Sequence, residues 1–149
     1  MNRPMQILVA DDEPTARMLM SAALKKAGHE VHVAVDGEDA LRQFRAHPCD
    51  LVMLDVEMPG MNGYETCIAL RREAGGELPI VMVTAMDDTQ SVERAYESGA
   101  TDFIGKPINW ALIGHRVKYL LRAYEADLQL RKANERNAAV LNAIPDLLF

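Results

Sequence analysis

Cysteine is scarce in this sequence, and the two that occur, Cys49 and Cys67, form an isolated pair without metal-ligand spacing. His29, His32, His47 and His115 are scattered too, so neither a disulfide framework nor a zinc site is supported, and both cysteines are expected to be packing residues. Long apolar runs are missing: no stretch approaches the roughly 20 residues that a membrane-spanning helix needs. The polar start Met1-Asn2-Arg3-Pro4 lacks the apolar segment of a signal peptide, so a cytoplasmic protein without membrane contact is expected. Basic residues are in the minority, 16 Lys and Arg against 22 Asp and Glu, for a net charge of −6. With no clustered Lys and Arg, no helix-turn-helix and no basic recognition segment, direct nucleic-acid binding by these residues is not expected. A net acidic chain suits a cation.

What is present is a repeat of short β-rich runs and longer amphipathic segments, the pattern of βα units around a parallel sheet. The runs are Gln6–Ala10, Glu30–Ala34, Asp50–Leu54, Pro79–Val83 and Thr101–Ile104. The first, third and fourth are almost continuously apolar, as strands covered on both faces must be, whereas the second alternates and the fifth is short, as edge strands can be. The spacing predicts helices over Pro14–Ala27, Gly37–His47, Tyr64–Ala74 and Thr89–Ser98, with a fifth beginning near Asn109. Gly28, Gly75 and Gly99 stand where a left-handed helix stop is expected. The expected fold is α/β: a flavodoxin-like (βα)5 doubly wound parallel sheet of strand order 2-1-3-4-5, with an extended C-terminal helix.

In such a sheet all strands end on one rim, and the residues that end these strands are not random. The first strand leads into Asp11-Asp12-Glu13, the third into Asp55, the fourth into Thr84, and the fifth is followed by Gly105-Lys106-Pro107. Asp55 taken alone fits a turn or a helix cap as well as it fits chemistry. Together, three carboxylates would repel and raise one another's pKa unless a cation sat among them, and hard oxygen ligands at that density suit Mg²⁺. Lys106 adds a mobile positive charge and Thr84 a hydroxyl donor. A metal, a cation and a donor around a carboxylate nucleophile are the parts that phosphoryl transfer to Asp55 requires.

The pieces Asp11-Asp12, Leu54-Asp55-Val56-Glu57-Met58-Pro59-Gly60-Met61-Asn62-Gly63-Tyr64-Glu65, Val83-Thr84-Ala85 and Lys106-Pro107 together resemble a response-regulator receiver domain of two-component signalling, over about residues 5 to 122. The resemblance implies Asp55 as phosphoacceptor, Asp12 as a direct Mg²⁺ ligand, Asp11 as a partner acting largely through metal-bound water, and the backbone carbonyl of Glu57 as a further ligand. Thr84 and Lys106 would bind phosphoryl oxygens, and the Lys106–Pro107 peptide is expected to be cis. A histidine kinase or phosphotransfer protein would be the donor, and small Ala85 would leave it room. The switch implied by the resemblance draws Thr84 toward the phosphoryl group and turns Phe103 into the vacated space, reshaping the face of the fourth helix, fifth strand and fifth helix. Phe103 carries no hydroxyl, so it would report the change through packing. The side chain of Glu57 reads equally as a solvated turn residue or as a charge at the pocket mouth.

Residues 109 to about 141 can run as one helix, longer than the fold needs. Ile113, Val117, Leu120, Leu121, Tyr124 and Leu128 recur at three- and four-residue spacing. A homodimer through this helix or through the switch face is expected, with a helix that merely covers the core as the alternative. The closing stretch from Leu141 to Phe149 resembles the opening of a PAS sensory domain with an Ile144-Pro145-Asp146 turn. The sequence thus divides into a receiver at 1–122, a helical linker at 123–141 and the start of a PAS-like domain at 142–149. A diguanylate cyclase, phosphodiesterase or histidine-kinase output would lie beyond. On this reading the chain is a self-phosphorylating switch and not a turnover enzyme.

Two rivals remain. A Mg²⁺-dependent phosphohydrolase working through an aspartyl phosphate also uses Asp, Thr and Lys, but its nucleophile is usually followed by a second Asp, where Asp55-Val56-Glu57 has Glu. A phosphate-independent scaffold would keep the fold alone and has no need of three clustered acids.

Overall fold

The computed structural model describes residues 4–86 and 88–148, with side chains described as far as 137. Five βα repeats follow one another: β1 (Gln6–Ala10), α1 (Pro14–Lys26), β2 (Glu30–Ala34), α2 (Gly37–Ala46), β3 (Leu51–Asp55), α3 (Gly63–Ala74), β4 (Ile80–Thr84), α4 (Thr89–Glu97), β5 (Asp102–Gly105) and α5 (Ile113–Leu148). All pairings are parallel, in the order β2-β1-β3-β4-β5. The apolar runs explain the order: β1, β3 and β4 are buried nearly throughout, while β2 and β5 are part exposed and take the edges.

Strand alternation divides the core into two layers. Leu8, Val52, Leu54, Ile80 and Met82 face Leu41 of α2, Cys67 and Leu70 of α3 and Ala95 of α4. The intervening residues Val9, Met53 and Val83 point the other way, the side on which α1 buries Met20 and Leu24. Each such side chain contributes roughly 1.5–3 kcal/mol on burial. Cys67 is fully buried and Cys49 half-buried; both are free thiols, and burial pushes the Cys49 thiol up to about 12. They are packing residues, as their isolation in the sequence implied.

Helix ends follow local chemistry. Gly28, Gly75 and Gly99 take φ of 95°, 82° and 103° just past α1, α3 and α4. Asn62 caps α3 through a reciprocal pair: its side chain accepts from the Glu65 N–H, and the Glu65 carboxylate accepts from the Asn62 N–H. The fifth helix begins at Ile113 and not near Asn109. The Asn109 carbonyl accepts from the N–H groups of Leu112 and Ile113, and its side chain accepts from Ala111, so these residues form a turn that the helix follows. The third strand likewise runs one residue further than its apolar run, so Asp55 is its last residue.

The chain divides into two compact units, residues 1–116 and 117–149. The first holds the whole sheet and the site described below. The second is the continuation of α5; it carries an Asp127–Arg131 ion pair one turn apart, and exposes Tyr119 and Leu130. The backbone is helical through Leu148, where a turn at Ile144-Pro145-Asp146 was expected. The side chains that would bear on the PAS-like comparison of 142–149 lie outside the described residues. Among the described residues, no helix is long and apolar enough to cross a membrane.

Candidate functional site at the carboxyl rim of the sheet

The parallel register brings the ends of β1, β3, β4 and β5 side by side: Ala10 pairs with Leu54, Asp55 with Val83, and Thr84 with Gly105. Asp11, one residue past β1, is 8% exposed; Asp55, closing β3, is 5% exposed; Asp12 is exposed. Each of the three offers a carboxylate oxygen, and these oxygens lie within 4.8 Å of one another. Lys106 reaches over from the end of β5 and places its Nζ 3.2 Å from both oxygens of Asp55. The Lys106–Pro107 peptide is cis.

The acids are held by the backbone around them. The Glu13 N–H donates to Asp11 Oδ1 at 2.9 Å, and the Glu57 N–H donates to Asp55 Oδ1 at 3.3 Å. Burial, and then the neighbouring negative charge of Asp55, push the Asp11 carboxyl from the ordinary 3.8 up to about 6, although the Glu13 N–H and Lys106 oppose the shift. A buried acid that retains its proton at such pH is one whose negative charge lacks compensation. Hard oxygen donors at this density, short of positive charge, fit a small divalent cation.

Thr84 ends β4 and is 6% exposed; its Oγ1 accepts from the Met86 N–H at 2.9 Å, which ties the hydroxyl into the loop after β4. Phe103 is half-buried on β5, edge-on to Tyr96 of α4 at 6.2 Å between ring centres, and its carbonyl accepts from Arg116 at 3.3 Å. Glu57 lies exposed in the turn after Asp55. The structure thus gathers Asp11, Asp12, Asp55 and Lys106 at the rim, with Thr84 on the neighbouring strand end and Phe103 beside α4.

Three supports went unnoticed in the sequence. Arg17, from α1, donates to the Asp11 carbonyl at 2.8 Å and fixes the chain where it enters the site; a contact six residues away leaves no local signal. The N–H of Gly63 donates to the Val56 carbonyl at 2.9 Å, and a Cβ there would collide with the carbonyl oxygen of Asp55. The third is the Asn62–Glu65 capping box at the start of α3, for which the Asn-x-x-Glu spacing is the signal that could have found it.

A parallel sheet of this order with such a rim defines a receiver. The model of the response regulator receiver domain matches residues 7–118, and the chain belongs to that family. It is similar to the transcriptional regulatory protein AfsQ1 of Streptomyces coelicolor, 36% identical over 121 residues that make up 81% of this chain and 53% of that protein. It is similar to the DNA-binding response regulator MtrA of Mycolicibacterium smegmatis, 41% identical over 120 residues, 80% of this chain and 52% of that protein. Among solved structures, the chemotaxis protein CheY4 of Vibrio cholerae superposes with a TM-score of 0.73 at 32% identity, covering 80% of this chain and 98% of that one. The chain spans about half the length of the curated relatives it matches. Receiver domains of two-component response regulators are regulatory switches.

Proposed function

We propose that Asp55 is the phosphoacceptor of this receiver, taking a phosphoryl group from a phosphohistidine on a histidine kinase or phosphotransfer protein. The observation that carries this is the convergence of the Asp11, Asp12 and Asp55 carboxylates with the Lys106 ammonium on Asp55. An Asp55 oxygen attacks phosphorus while the phosphorus–nitrogen bond to the donor imidazole breaks. Lys106 is drawn from the carboxylate toward the phosphoryl oxygens as charge moves onto them. Thr84 gives up its contact with Met86 to donate to the same group. Asp11, Asp12, Asp55 and the backbone carbonyl of Glu57 would hold Mg²⁺, which when bound neutralises charge on the phosphoryl oxygens.

Thr84 and Phe103 then act as the switch, and the face of α4, β5 and the start of α5 changes. The receiver extends over 1–122, with 123–141 as a helical linker that can pair in a coiled coil and 142–149 opening a PAS-like domain. The output controlled is a separate module. The likeness to a transcriptional regulatory protein and a DNA-binding response regulator favours a DNA-binding output, the PAS-like opening a diguanylate cyclase, phosphodiesterase or kinase; with a net charge of −6, these residues themselves are not the DNA contact. A cytoplasmic location follows from the same reading.

Labelling with acetyl phosphate in Mg²⁺ tests the proposal: the wild type takes up one phosphoryl group and Asp55→Asn takes up none. Labelling of Asp55→Asn at another residue would refute it. Steady turnover of a general phosphatase substrate would instead favour the phosphohydrolase, and absence of both would favour a scaffold.

A further inference from the structure

Beneath the acidic rim, on the α1 side of the sheet, lies a cavity of about 260 Å³. Val9 and Met53 form its floor, Ala16 and Met20 of α1 one wall, and Ile108 and Trp110 of the loop after β5 the other. None of these side chains except Trp110 carries a polar group, so the body of any occupant must be apolar. The mouth is different. Asp11, Glu13 and Asp55 stand there with Lys106, and Lys106 is already held by both oxygens of Asp55 at 3.2 Å. Three carboxylates face one committed ammonium, so the uncompensated charge at the mouth is negative. An apolar void of about 150 Å³ accepts benzene; this one has room for a ring and a short arm.

We propose that this cavity is a binding site for a small organic ammonium compound. Its aromatic or branched aliphatic body lies between α1 and Trp110, and its charged head lies against Asp11 and Asp55. An occupant placed so shares its carboxylates with the cation site. The amine therefore excludes Mg²⁺ and holds the receiver unphosphorylated, a small-molecule input that acts on the receiver directly. This consequence rests on the phosphoacceptor reading above; the binding site does not.

Trp110 is the sole tryptophan of the chain and lines the cavity, so its fluorescence reads occupancy directly. Titrate the full chain with 2-phenylethylamine, and in parallel with 2-phenylethanol and 3-phenylpropionate, which keep the ring and change the head. The expected result is a saturable change in Trp110 emission with the amine, at least about tenfold weaker binding of the alcohol and the acid, and an apparent amine Kd that rises with Mg²⁺ concentration. Ala16→Leu, which fills the wall without touching a carboxylate, should abolish the amine response and leave Mg²⁺ affinity and acetyl phosphate labelling within about twofold. No saturable amine response, equal binding of the acid or alcohol, indifference to Mg²⁺, or unchanged amine binding by Ala16→Leu would each overturn the proposal. Failure of acetyl phosphate labelling alone would strike the phosphoacceptor reading and leave the Trp110 titration standing.

Discussion

Asp11 is where the electrostatics of the site are most exposed to measurement. Its folded carboxyl holds a proton up to about 6, whereas an unfolded one releases it near the ordinary 3.8. The metal-free fold therefore loses stability as pH rises through that window and stays penalised above it. A divalent cation must displace the proton, so the rise in Tm on adding Mg²⁺ is expected to be full above about pH 6 and to fade as pH drops through it. Thermal melts with and without Mg²⁺ across that range check this, and Asp11→Asn should flatten the dependence. Lys106→Ala should still bind Mg²⁺ but switch poorly, because it removes the ammonium that reaches Asp55 from just past β5; metal titration beside amide spectra with a phosphate mimic separates the two effects. At this scale the sequence was readily legible. Asp11, Asp12, Asp55, Thr84 and Lys106 each lie within two residues of the end of a β-rich run, and short apolar runs that break into acids, Gly or Pro mark strand ends well. Arg17 and Trp110 were not legible, because their contacts with the site depend on how α1 and the loop after β5 lie against the sheet.

At the scale of elements, the loop between β3 and α3 sets where Asp55 sits. Gly63 is pressed against the Asp55 carbonyl so closely that a methyl group has no room. Gly63→Ala is expected to destabilise the fold by about 1–3 kcal/mol, as overpacking does, and to slow acetyl phosphate labelling; denaturant melts and labelling kinetics report the two separately. Asn62→Ala removes only the cap, at a cost of about 1 kcal/mol, and should leave labelling near wild type. Strand order and edge positions were readable from which runs were continuously apolar. Helix boundaries were less so: Asn109 looks like a helix start, but its carbonyl and side chain close a turn first, and α5 begins at Ile113.

For the whole molecule, the questions are what phosphorylation does to association and what it controls. Val117 is buried in the core, so the seam left for pairing two copies is the half-buried Leu120, Tyr124 and Leu128, the arrangement proposed for the helical linker. Sedimentation should show a dimer favoured by the phosphate mimic, and Leu128→Asp should weaken it by at least about tenfold. A monomer with and without mimic would count against the pairing. The claim on which these expectations depend is that Asp55 accepts the phosphoryl group while Asp11, Asp12 and Asp55 hold Mg²⁺. The most direct measurement is a crystal structure with Mg²⁺ and beryllofluoride bound. Beryllofluoride is expected on an Asp55 oxygen, the metal on the three acids and the Glu57 carbonyl, and Thr84 Oγ1 turned from the Met86 N–H to the fluoride. Beryllofluoride bound elsewhere, or an Asp55 still held by Lys106 with Thr84 on Met86, would contradict it.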